Sequence, residues 1–187
     1  MTARISIATL SWILLASAAP HAIDTKASTL TIHVGKTGAF SAFGHEHVIA
    51  APIASGSADA AAKHVELRVD AAALRVHDPK GSESDKAQIQ KTMLGPEVLD
   101  AERFHEIIFK STSAQENGSG AWTVAGSLTL HGETRPVTVT VREQNGRYTG
   151  SATVRQSEFG IKPVKVAGGT VKVKDDVQIE FDIRLAP

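Results

Sequence analysis

The chain contains no cysteine, which excludes disulfide staples, a lipid anchor attached through cysteine and a cysteine nucleophile. Charge of neither sign is in excess, with 20 Lys and Arg against 20 Asp and Glu. There is no block of like charge and no sustained basic amphipathic stretch, so neither nucleic acid nor a membrane-surface helix is an expected partner. No fixed-period repeat marks a solenoid. G-x-S-x-G and H-E-x-x-H are both absent, and Ser, His and Asp are too widely scattered to single out a hydrolytic triad. Stability must come from packing, and 187 residues are enough to bury one core.

One long apolar run is present, in "MTARISIATLSWILLASAAPHA" at residues 1–22. Arg4 precedes a hydrophobic stretch from Ile5 to Ala16, and small residues follow at Ala18 and Ala22. This is the pattern of a secretory signal peptide, with cleavage after Ala18 or Ala22 and the second preferred. The expectation is an exported, periplasmic protein of residues 23–187 with no membrane span. Removing residues 1–22 takes away only Arg4, leaving 19 basic against 20 acidic residues.

Most of what remains alternates apolar and polar residues with period two, which puts every second side chain on one face of a strand. Leu30, Ile32 and Val34 oppose Thr31 and His33, and Val65, Leu67 and Val69 oppose Glu66 and Arg68. Beyond residue 105 the alternation is nearly continuous, through Ile107 and Phe109, Trp122 to Leu130, Val137 to Val141, and Tyr148 to Val154. It ends in "TVKVKDDVQIEFDIRL", where "KDD" reads as a turn between two adjacent strands. "ENGSG", "HGETRP" and "QNGR" separate the others. Gly126, Gly150 and Ala152 fall on the inward set, where small residues either leave room for an apolar guest or relieve crowding where strands bend.

Residues 81–104 break the rule. Ile89, Met93 and Leu94 recur at helical spacing behind Ser82, a cap with Asp85 three residues on. Pro96, after Gly95, reads as the opening of a second short helix, whose solvated face carries Glu97, Asp100 and Glu102. About eight strands with a helical insertion over residues 82–103 predict an all-β fold, a closed antiparallel barrel, because closure removes the exposed edges of so long a meander. A β-sandwich is the alternative.

Two histidines stand out in "SAFGHEHVIAAP". On an extended segment His45 and His47 point the same way and Glu46 the other. With a third donor from His33, His64, His77, His105 or His131 they suit a zinc-like ion. As polar loop residues they satisfy backbone carbonyls where a strand enters a barrel. Farther on, Lys162, Lys165, Gly168 and Gly169 form a basic loop that serves either as a plain connection or as a receiver of an anionic headgroup.

"AERFHEIIFKS", "WTVAGSLTLHGETRPVTVTV" and "GSATVRQSEFGI", behind a leader and an early His-bearing loop, resemble the YceI-like family of exported bacterial proteins. The likeness covers residues 28–185. Its most specific signature stands here as Gly126, Leu128, Thr129, Gly132, Thr134, Pro136 and Val137, with Phe159 to Ile161 following. His105 replaces the usual proline before the strand "EIIFKS", and the early segment is shorter than in lipid-binding relatives.

The resemblance implies a lipocalin-like barrel enclosing an apolar cavity for a polyisoprenoid or similar lipid, with no bond making and therefore no catalytic residue, cofactor or metal. Alternation supplies the candidate lining: Leu30, Ile32, Phe109, Trp122, Leu128, Val139, Ala152, Ile179 and Phe181. The family places a histidine near the barrel mouth, which gives His45 and His47 a headgroup role. Two other readings stay open, a packed barrel acting as a stress or redox accessory and a metal-binding His45/His47 loop. Related barrels pair, so a homodimer stays open too.

Overall fold

At His131–Gly132 and again at Asn145–Gly146 both residues hold positive φ, 52° and 77° in the first pair and 54° and 73° in the second. A two-residue hairpin turn of the type I′ class requires that backbone, and Asn-Gly supplies it readily. The computed structural model describes residues 20–37, 46–59, 62–79, 81–166 and 171–187. In it these turns join β8 (Ala121–Leu130) to β9 (Glu133–Gln144), and β9 to β10 (Arg147–Arg155). A third tight hairpin, around Asn117–Gly120, joins β7 (Glu106–Glu116) to β8.

The remaining strands are β1 (His21–Ala22), β2 (Thr29–Thr37), β3 (His47–Ala50), β4 (Ile53–Asp59), β5 (His64–Asp70), β6 (Arg75–Val76), β11 (Lys165–Val166) and β12 (Val171–Arg184). All pairings are antiparallel, in the order β1-β4-β5-β7-β8-β9-β10-β12-β2-β3-β6. β3 and β4 are successive parts of one stretch of chain. β3 pairs with β2 and β4 with β5, and the break between them holds Pro52, which cannot donate to a ladder. One stretch thus changes partner halfway and joins the two flanks of the sheet into a barrel. β1 occupies the offset that this leaves, bonded to β4 on one side and bridged through Ile23 to Leu185 on the other.

The helical insertion begins as its sequence requires. In α1 (Glu83–Leu94) the Ser82 hydroxyl accepts from the Asp85 N–H at 3.1 Å and donates to the Asp85 carboxylate at 2.7 Å. Met93 is buried with Ile49, Val69, Leu74, Leu99 and Ile161, so the helix packs over one end of the barrel. Gln90 behaves as a surrogate strand, accepting from Val76 N–H and donating to Leu74 C=O, both at 2.8 Å.

Two expectations are corrected. Residues 96–103 form turns, not a second helix: Asp100 takes φ +44°, and its left-handed backbone ends any helical run after one turn. Glu97, Asp100 and Glu102 accordingly sit on turns. "KDD", Lys174 to Asp176, does not separate two strands either. It is a bulge inside β12, which pairs with β2 on both sides of it. Asp175 is held there by the N–H and hydroxyl of Ser157, at 2.8 and 2.6 Å, so local turn chemistry is spent on a neighbouring 3₁₀ turn (Gln156–Phe159) and the strand runs on.

Candidate functional site: an apolar cavity with polar fittings

The barrel contains a cavity of about 1200 Å³, above the usual upper size of small-molecule pockets, roughly 1000 Å³. All nine apolar residues that alternation points inward lie on its wall. Leu128, Val139 and Ala152 are buried, but Leu30, Ile32, Phe109, Trp122, Ile179 and Phe181 are only half-buried. In an interior filled to protein density, inward side chains of this size would all be covered by neighbours. Here their uncovered surface faces the cavity, so the barrel is not packed through.

The two inward glycines do not create that space. A Cβ on Gly126 would lie 2.5 Å from Cζ of Phe109, and one on Gly150 2.6 Å from Cζ of Phe181 and 2.0 Å from the Thr140 carbonyl oxygen. Each glycine seats a phenylalanine ring from the adjacent strand, and Gly150 faces Phe181 directly in register. The family signature is explained in the same way. Gly132, at φ +77°, lies under Phe104, whose ring stacks at a tilt on His131, 4.6 Å between centroids. Pro136 faces Ser127 of β8 in the part of β9 that has no β10 partner, since those two strands pair only over residues 140–144 and 147–151.

The cavity has two unlike ends. At the hairpin end the lining includes His21, Asp59, Lys63, His64, Glu116 and Glu143. At the helix end Gln88, Ile89, Thr92, Met93 and the exposed Glu97 contribute, together with His47 and Gln156. His47 pairs with Val34, Val34 with Val177 and Val177 with Val154, a single row that puts His47 level with the end of β10.

His47 is oriented by a residue that sequence reasoning missed. The carboxylate of Asp78, wholly buried, meets His47 Nδ1 at 2.5 Å and accepts from Val48 N–H at 2.5 Å. A buried carboxylate needs such partners, and its bond to Nδ1 fixes the ring. Asp78 lies 31 residues from His47 in sequence, in "HDPK", which reads only as a turn. Among the described residues no group of three or more potential metal ligands gathers, and His45 lies outside them.

The other candidates are dispersed. His33, on the outer face, sits between Glu46 at 3.7 Å and Glu180 at 3.5 Å. His131 Nδ1 lies 3.1 Å from the Phe159 carbonyl oxygen, while His64, His77 and His105 are exposed. Lys162 and Lys165 are exposed and not part of the cavity wall; Gly168 and Gly169 lie outside the described residues.

The YceI-like domain model matches residues 21–185. The chain belongs to the YceI-like family. A UPF0312 protein of Vibrio cholerae is 27% identical over 183 residues, covering 88% of each chain, and one of Vibrio parahaemolyticus is 30% identical over 126 residues, covering 66% of this chain and 62% of that one. Among solved structures, BcnA of Burkholderia cenocepacia aligns with a TM-score of 0.58 at 19% identity, over 88% of this chain and 99% of BcnA. The YCEI protein of Campylobacter jejuni aligns with a TM-score of 0.52 at 9% identity, over 67% and 73%. At such identities these neighbours speak for the YceI-like barrel alone, and the cavity gives that barrel the form of a binding protein.

Proposed function

We propose that this YceI-like protein is an exported, non-catalytic carrier that takes up the apolar chain of an isoprenoid-type lipid inside the barrel, with His47 at the mouth near its head. The observation that carries the reading is the unfilled cavity of about 1200 Å³ walled by aliphatic and aromatic side chains. At about 25 cal/mol per Å², removing roughly 300 Å² of lipid surface from water yields on the order of 7 kcal/mol before the cost of association. Phe109, Trp122, Ile179 and Phe181 supply contact without any charge to desolvate. Among the described residues no helix is long and apolar enough to cross a membrane.

Export is part of the proposal, with the leader ending at Ala18. Ala16 and Ala18 form the A-x-A pattern that signal cleavage favours, and this site leaves β1 in the mature chain. Cleavage after Ala22 would remove the residues that pair with Ala58 and Ser57. Native mass spectrometry of protein taken from the periplasm, with solvent extraction and metal analysis of the same sample, tests the reading. The expected result is a mature chain beginning at Ala19 with an apolar lipid bound or readily taken up on add-back. A metal-loaded protein that takes up no lipid would overturn it and favour the histidine loop as a metal site.

A further inference from the structure

Gln156 is the polar residue that the apolar wall least explains. It is 9% exposed, lines the cavity and opens the 3₁₀ turn that ends at the buried Phe159. Its amide has one determined orientation. The Lys174 carbonyl, 2.8 Å away, can only accept, so the group facing it is Nε2–H. Lys174 lies in the β12 bulge, between Val173 and Val177, where it has no β2 partner. The other amide atom, Oε1, has no hydrogen-bond partner among the described residues. A buried acceptor left without a donor is costly, and a leucine or methionine would fill the same wall without that cost.

We infer that Gln156 is a headgroup contact, its Oε1 accepting a hydrogen bond from a hydroxyl at the end of a long apolar ligand whose head lies at the helix end of the cavity. The group must include a donor, because Oε1 can only accept, and a hydroxyl suits the amide because its oxygen also accepts from the second Nε2–H, which the Lys174 carbonyl leaves over. It must be neutral, because a buried charge facing a single amide would stay uncompensated. The ligand class is thus a long-chain alcohol rather than a hydrocarbon or an ether. The inference rests on the carrier reading and narrows it.

Hexadecanol, hexadecyl methyl ether and hexadecane, each competing with the fluorescent probe N-phenyl-1-naphthylamine on the mature protein, test it. Hexadecanol should bind about 5- to 10-fold more tightly than the ether, the yield of one neutral hydrogen bond. In Gln156→Leu that preference should vanish while affinity for hexadecane, which makes no hydrogen bond to the amide, stays within about twofold. Equal affinity for alcohol and ether in the parent protein, a comparison that needs no variant to fold, would overturn the inference, as would a preference that survives in Gln156→Leu. If none of the three displaces the probe, the carrier reading itself falls and this contact with it.

Discussion

Phe159 and Trp122 are both large inward side chains, yet their truncations should differ in kind. Phe159 is 1% exposed and closes the gap between the splayed ends of β9 and β10, packed with Leu128, Val154 and Val177. Phe159→Ala should cost about 3–5 kcal/mol. Trp122 faces the cavity and is only half-buried, so Trp122→Ala should cost less than about 2 kcal/mol but weaken uptake of an apolar probe. Urea denaturation and probe titration of the two variants check this. Equal destabilisation would mean that Trp122 is packed like any core residue. Alternation located Trp122 on the inward face and the family resemblance singled out Phe159, but neither told which side chain meets neighbours and which meets empty space, because curvature across several strands decides that. Asp78 was illegible for a related reason, since nothing near it in sequence announces that a strand 31 residues earlier will need a buried acceptor.

Among the elements, strands with strict period two were legible almost to the residue, because their alternation is the same whether or not the neighbouring strand is known. Lys174 to Asp176 and residues 96–103 were not. A charged triplet between apolar runs suits a turn and a bulge equally, and the choice is made by Ser157 and Gln156, 18 residues away. β1 is the other element that local pattern misses. It is short and exposed, but it holds β4 at Ala58 and Ser57 and accepts from Ala186 N–H at 2.8 Å. A mature protein begun at Ile23 rather than Ala19 should therefore melt about 2–6 °C lower, the loss of a few net hydrogen bonds in a chain of this size. Scanning calorimetry of the two forms decides it; identical melting would make β1 a passive tail.

For the molecule as a whole, the outer wall is laced by ion pairs that make its stability depend on acid. Arg147 hydrogen-bonds Asp182 and holds that carboxyl below its ordinary range. Arg68, with help from Lys110, does the same to Glu66. Each carboxyl binds its proton more weakly in the folded state than in the unfolded one. Its stabilisation is therefore complete above the unfolded value near pH 4 and disappears as pH falls through the lower folded value. These groups are solvent-exposed and salt-screened, so the effect is small. Asp182→Asn should lower the urea midpoint at about pH 7 and leave it unchanged at about pH 2; a difference that persists in acid would assign the effect to packing. The stretch from His47 to Asp59, which changes partner at Pro52, also sets an order of events. The central hairpins, β7 through β10, join neighbours in sequence and can form as soon as they are made. The ring cannot. Its seam runs along β2 and β12, where Leu30 meets Phe181, so the first long strand to be synthesised waits unpaired on that side for the last. Until residue 184 exists there is a curled sheet with an open flank and no inside, and the capacity to hold anything arrives in a single late step.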